Sequence, residues 1–244
     1  IFNYDIRGFG DSSSEVIRTA SIDLFAEDLI AFMDAVHIEK AIVCGFSMRG
    51  YVLLNAVSRF PDRFSAIILA DTQCNEDSPE AKVKRGEAVL EINLLGIGPF
   101  IKKFIKNVFT EASLKNKKQL INTVKNGLLS TSPEAIISTL NALANRTNTC
   151  EMLHKIEIPT LIICGNQDKV TPIIKAEYLQ QNIANSILKI IKKAGHMSNM
   201  EQPSQFNKLI VEFVSNLPHL SAIKLYGNEN LEIEPNVENC ILKG

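Results

Sequence analysis

A serine, an aspartate and a histidine each stand just after an apolar run that reads as a β-strand, and these three residue types together suit nucleophilic catalysis. The first lies in Ala41-Ile42-Val43-Cys44-Gly45-Phe46-Ser47-Met48-Arg49-Gly50, where a strand ends in glycine and serine and a helical pattern follows. A bend of that kind exposes the Ser47 hydroxyl near the positive end of a helix and makes it a candidate nucleophile. A serine at such a junction is also a common helix cap, so its partners decide. A hydroxyl attacks well only when a base takes its proton and a third group orients the base. Asp168 follows the run 160–165 in Gly165-Asn166-Gln167-Asp168, and His196 follows the run 187–191 in Ala194-Gly195-His196. In a parallel sheet all three would meet at one carboxyl edge, where open α/β sheets hold their working groups.

Rival residues carry less. Asp71 follows the strand-like run 66–70 and is a second candidate acid, whereas the turn around Asp168 is the better motif. His37 precedes a strand at the opposite edge, His154 sits in a connector and His219 in the tail, so solvent-facing or structural roles are expected of them. Arg7 is expected to tie down its own loop with a carboxylate such as Asp5 or Asp11.

The elements that must position these groups alternate. Residues 1–5 read as a short strand, followed by a loop over 6–14 dense in turn formers. Ser21 caps a helix whose apolar residues Ile22, Phe25, Leu29, Phe32 or Met33, and Val36 recur at helical spacing. A strand over 41–45, a helix to about residue 60 closed by Pro61, and a strand over 66–70 come next. Between 74 and 150 the alternation breaks into four helical patterns, roughly over 79–93, 98–108, 114–129 and 133–145. Strands over 160–165 and 187–191 and helices over 173–184 and 203–214 complete the pattern. Apolar strands alternating with amphipathic helices imply parallel strands covered on both faces.

Composition bounds the function. The 244 residues are 45% hydrophobic and 22% charged with a formal charge of −1, which fits a globular enzyme-sized body and gives no electrostatic footprint for nucleic acid. No apolar stretch suits a bilayer span and no signal segment opens the chain, so a cytoplasmic setting is expected. The chain begins at Ile1 rather than methionine, which suggests a fragment or a processed chain. Five cysteines without C-x-x-C spacing argue against a complete disulfide framework and against zinc, and Cys44 and Cys164 read as small buried hydrophobes. The lysines at 102, 103, 106, 115, 117 and 118 read as a solvated outer face.

Four motifs in order resemble the α/β-hydrolase family over residues 1–217. They are Asp5-x-Arg7-Gly8-x-Gly10-x-Ser12, the serine elbow, Gly165-x-x-Asp168 through Pro172, and Gly195-His196-x-Ser198-Asn199-x-Glu201-x-Pro203, the last similar to the enol-lactone hydrolase and small carboxylesterase branch. The resemblance implies an α/β fold with a mostly parallel sheet, helices on both faces and a helical cap insertion. It assigns 1–73 and 151–217 to the core, 74–150 to the cap and 218–244 to a tail of uncertain structure. It implies a serine hydrolase cleaving a carboxylic ester or lactone through an acyl-enzyme, with Ser47, Asp168 and His196 as triad and the Met48 N–H as oxyanion donor. Phe46, Cys74, Leu95, Phe100 and Met197 are the expected substrate-binding residues, with Asn75 and Ile97 beside them. No cofactor or metal is implied, and the expected partner is a small-molecule ester or lactone, with no nucleic acid or membrane, in a monomer or homodimer.

The sequence departs from the family in two places. Arg49 stands where the elbow normally has a small residue, so it is expected to crowd the turn. The family's first three strands, and the His-Gly loop that donates a second oxyanion N–H, have no counterpart at the amino end. A catalytically impaired or non-catalytic member of the fold therefore stays open, as do a carbon-carbon bond hydrolase and a perhydrolase.

Overall fold

The computed structural model describes residues 2–12 and 20–217. Its sheet consists of β1 (Ala41–Phe46), β2 (Phe64–Ala70), β3 (Thr160–Gly165) and β4 (Ser186–Ile191), all parallel and in the order β1-β2-β3-β4. Side chains alternate between the two faces. Val43, Ile67, Leu69 and Ile162 join one apolar cluster, and Ile42, Ile68, Ala70, Leu161 and Ile163 join another. Parallel pairing on these registers brings every strand's carboxyl end to the same edge, from which the loops carrying Ser47, Asp168 and His196 emerge.

The helices that cover this sheet form where the apolar periodicity predicts. Ser21 Oγ accepts the Leu24 N–H at 3.0 Å and starts α1 (Ile22–Ala35), whose Phe25, Leu29 and Met33 are buried, each contributing roughly 1.5–3 kcal/mol. Packed against it is α2 (Met48–Arg59), which with α8 (Ile173–Asn182) covers the first face. The second face is covered at β3 and β4 by α10 (Pro203–Ser215), preceded by the four-residue α9 (Ser198–Glu201).

Between β2 and β3 the chain forms α3 (Pro79–Leu95), α4 (Ile97–Val108), α5 (Glu111–Asn116), α6 (Lys118–Ser130) and α7 (Pro133–Ala144). Ser78, Thr110 and Ser132 cap α3, α5 and α7 through their hydroxyls. The third predicted helix divides at Lys117, whose φ of −112° and ψ of 52° are not helical. The lysines of this segment are exposed as expected, and Lys103 pairs with Glu91 at 2.6 Å.

Two expectations need correction, and two contacts go beyond what the sequence indicates. Cys74 and Cys150 form a disulfide at the two ends of the helical segment, where the Thr149 N–H also donates to the Cys74 carbonyl at 2.9 Å. Residues 2–5 form no strand: the Phe2 and Tyr4 rings pack on Phe32 of α1, 6.4 and 5.0 Å between centroids, and no ladder lies beside them among the described residues. Arg7 is held by a carboxylate as expected, that of Asp28 on α1, which accepts from its Nε at 2.7 Å. Cys44 is exposed rather than buried: among the described residues β1 is an edge strand of the sheet, and α10 packs on β3 and β4 toward the other edge. Cys164 is buried as expected. His37 and His154 are exposed, while His219 and the tail 218–244 lie outside the described residues. No helix among the described residues is long and apolar enough to cross a membrane.

Candidate active site

Ser47 occupies a bend between β1 and α2 with φ 51° and ψ −118°. A non-glycine residue at positive φ is strained and persists only where its surroundings over-determine it. Three hydrogen bonds to its backbone do so here. The Ser47 N–H donates to the Ala70 carbonyl at 2.9 Å, and the Ser47 carbonyl accepts from Gly50 N at 2.9 Å and from Thr72 Oγ1 at 2.8 Å. Glycine is required on both sides of the bend: a side chain at Gly45 would come within 2.6 Å of the Arg49 carbonyl, and one at Gly50 would collide with Thr72.

These contacts revise the expectation about Arg49. The close approach falls on Gly45 and Gly50, whereas the half-buried Arg49 side chain lies near Tyr4, Asp5 and Cys44. Burial pushes its guanidinium below the ordinary value, and those neighbours oppose the shift.

The Ser47 hydroxyl does not cap α2. It lies 2.7 Å from His196 Nε2, and His196 Nδ1 lies 2.8 Å from Asp168 Oδ2. A carboxylate only accepts, so Nδ1–H donates to Asp168 and leaves the Nε2 lone pair for the serine proton. Asp168 is fixed by donors from its own turn: Val170 N at 2.7 Å and Thr171 N at 2.9 Å to Oδ1, and Thr171 Oγ1 at 2.7 Å to Oδ2. Burial alone would raise its pKa. The hydrogen bond and charge of His196 and the Thr171 donors outweigh burial and hold it below the ordinary carboxylate range. His196 is 3% exposed, with the Phe46 ring 5.6 Å from its own. Such a relay can pass a proton from hydroxyl to imidazole while the carboxylate stabilises the imidazolium.

Residues 1–203 match the sequence profile of the alpha/beta hydrolase fold. The chain belongs to the α/β-hydrolase family. Among curated proteins, this hydrolase is 32% identical over 207 residues to 3-oxoadipate enol-lactonase 2 of Acinetobacter baylyi, covering 85% of this chain and 75% of the relative. Among solved structures, an esterase from Thermogutta terrifontis superposes with a TM-score of 0.83 at 29% identity, covering 87% of this chain and 78% of that one. The enol-lactonase from Burkholderia xenovorans superposes at 0.80 and 25%, covering 87% and 80%. The chain is an α/β-fold hydrolase of the ester-acting kind.

The other residues expected at the site separate into two groups. Phe46, Phe100 and Met197 share one apolar cluster with Ile97, Ile101, Ile105 and Phe109, at the junction of α4 with the histidine loop. Cys74 and Leu95 are absent from it. Cys74 is consumed in the disulfide, and Leu95 is 68% exposed at the end of α3. Asn75 is engaged elsewhere, its carbonyl by Arg146 Nε at 3.0 Å and its Oδ1 by Lys175 Nζ at 2.8 Å. Met48 is the first residue of α2, where helix N–H groups lack intrahelical acceptors.

The rival acid Asp71 is fully buried and also at positive φ, 45°. It accepts from Gly165 N at 2.8 Å and from the Ser198 hydroxyl. Burial raises its pKa to about 7 against those donors and the nearby His196. Asp71, Cys164 and Asp168 each place one donor atom within 4.8 Å of the others, a spacing compatible with a metal. Their chemistry is not. Both carboxylates are taken by N–H and O–H donors, and burial with the neighbouring carboxylates pushes the Cys164 thiol far above its ordinary range, away from a ligating thiolate.

Glu201 and Thr72 are site-supporting groups that reading the sequence did not single out. Glu201 had a visible signal, since it falls within the histidine motif. Thr72 had none.

Proposed function

We propose that the chain is a serine hydrolase that cleaves a carboxylic ester or lactone through an acyl-enzyme. Ser47 Oγ attacks the acyl carbon as its proton passes to His196 Nε2, forming the carbon–oxygen bond of a tetrahedral intermediate. Asp168 orients the imidazole and stabilises its charge, and the Met48 N–H at the start of α2 faces the developing oxyanion. Collapse breaks the bond to the leaving oxygen, which takes the proton from His196. In a lactone that oxygen stays on the same molecule. Water, activated by the same imidazole, then attacks the acyl carbon and restores Ser47. Helices α3–α7, residues 74–150, act as a cap whose apolar junction with the histidine loop, including Phe46, Phe100 and Met197, receives the acyl part of a small-molecule substrate.

The observation that carries this reading is the Ser47–His196–Asp168 relay, 2.7 and 2.8 Å, with the serine at positive φ and its hydroxyl free of a capping role. The names of the relatives, an enol-lactonase and an esterase, support the same bond class. The test is hydrolysis of p-nitrophenyl acetate and butyrate beside Ser47→Ala, with a fluorophosphonate probe and mapping of the modified residue. Hydrolysis lost in the variant and label on Ser47 are expected. Equal rates in both proteins, or no label at Ser47, reject it.

A further inference from the structure

Both chain neighbours of His196 are tied to groups beyond its loop. The Gly195 N–H donates to Oε2 of Glu201, and the Met197 N–H donates to the carbonyl of Val108, at the end of α4, at 3.2 Å. Glu201 itself reaches the same corner: its Oε1 accepts from Thr110 N and from Thr110 Oγ1, both at 2.8 Å, across 91 residues of sequence. Its backbone carbonyl accepts from Lys117 Nζ, at the break between α5 and α6.

Glu201 is fully buried, and a buried carboxylate is costly unless hydrogen bonds replace its water. Three donors do so here, and they come from two different parts of the molecule. Gly195 has no side chain to fix it by packing. A Cβ there would stand 3.1 Å from the Val108 carbonyl and 3.2 Å from both Glu201 Oε2 and Thr110 N, so the two parts meet at backbone distance.

We propose that Glu201 is a positioning residue for His196, acting through Gly195, and that it ties the imidazole's place to the α4–α5 corner. This rests on the triad reading given above, in which His196 is the base. A shift of the corner would then be felt at the base, and a substrate seated against α4 would act on the relay through this carboxylate.

The test uses Glu201→Ala and Glu201→Gln in the full chain, at temperatures well below each variant's unfolding. With p-nitrophenyl acetate, kcat is expected to fall on the order of 10²-fold in the alanine variant and roughly tenfold in the glutamine variant, with KM within about twofold. Glutamine keeps an acceptor for Gly195 and loses one for Thr110, so it rescues in part. Should the alanine variant fail to fold, the glutamine variant decides. A second readout does not depend on turnover: the low-field proton of the His196–Asp168 hydrogen bond, assigned by its loss in His196→Ala, is expected to shift or broaden in Glu201→Gln. Failure of the unmodified protein to hydrolyse ester counts against the triad reading alone. An unmoved resonance, an unchanged kcat in both variants, or a loss carried only by KM overturns the role given to Glu201.

Discussion

Thr72 donates its hydroxyl to the Ser47 carbonyl at 2.8 Å and thereby ties the end of β2 to the bend that follows β1. The same side chain closes off the space above Gly50. Bend, hydroxyl and glycine form one packed unit, so strain at Ser47 is maintained by contacts that a single methyl group would disturb.

Gly50→Ala tests that unit. The added methyl must displace Thr72, and overpacking of this kind costs about 1–3 kcal/mol. Ester hydrolysis is expected to fall at least about tenfold because the nucleophile is misplaced. Urea unfolding and steady-state kinetics check both effects, and a variant as stable and active as the parent would show that the bend does not depend on this packing.

Arg49→Gly is expected to do far less. The arginine side chain leaves the bend toward Tyr4 and Asp5, so removing it relieves no crowding, and its loss from the first turn of α2 costs about 1 kcal/mol in helix propensity. Activity should stay within roughly threefold at saturating substrate. A gain of an order of magnitude would mean that the arginine does obstruct the elbow.

The two acids separate by role. Asp168→Asn removes the acceptor that fixes the His196 tautomer and is expected to lower kcat by about 10⁴. Asp71→Asn keeps an acceptor for Gly165 and lets Ser198 turn to accept from the new amide, so kcat should stay within roughly tenfold. Comparable losses in both variants would return Asp71 to contention as the orienting acid.

Much of this site is legible in the sequence because its parts are local. A strand, a turn former and a charged or nucleophilic residue occur together at Ser47, Asp168 and His196, and parallel pairing carries each to the same edge. What sequence does not show is mostly long-range. The Cys74–Cys150 bridge joins residues 76 apart, and an odd cysteine count hides one pair as readily as it excludes a full framework. Glu201 is marked by its motif but meets Thr110 only through the fold. The alternation of Phe2 and Tyr4 is real, yet it serves packing on α1, since a strand requires a partner ladder that local pattern cannot supply. The break at Lys117 lacks glycine or proline, the usual punctuation.

Asp71 gives stability a pH dependence whose sign can be worked out. Its ordinary value is 3.8 and burial raises the folded value to about 7. Between those values the native state holds a proton that the unfolded chain has released, so this residue makes stability fall as pH rises from about 4 to about 7, by on the order of a few kcal/mol. Asp168, held low, acts in the opposite sense: its contribution is present above its ordinary value and is lost as pH falls through its folded one. Asp71→Asn mimics the protonated acid. Parent and variant should therefore unfold alike near pH 4, with the variant increasingly the more stable toward pH 7. A gap independent of pH would mean that Asp71 is ionised throughout.

The bridge between Cys74 and Cys150 closes a loop containing all five helices of the proposed cap. Its loss frees that loop in the unfolded chain, and for a closure of this size the chain-entropy relation gives about 4.5 kcal/mol, an upper figure because measured bridges often deliver less. Cys74→Ser with Cys150→Ser should accordingly lower unfolding stability by roughly 2–4 kcal/mol. Hydrolysis should suffer less, because the corner that meets the histidine loop is held by Glu201 and Val108, far along the chain from either cysteine. Disulfides persist in oxidising compartments, so the bridge pulls against the cytoplasmic setting expected from the sequence. Intact-mass measurement with and without reductant, after thiol alkylation under denaturing conditions, checks the premise. Alkylation of all five cysteines without reductant would remove the bridge, and the stability difference with it.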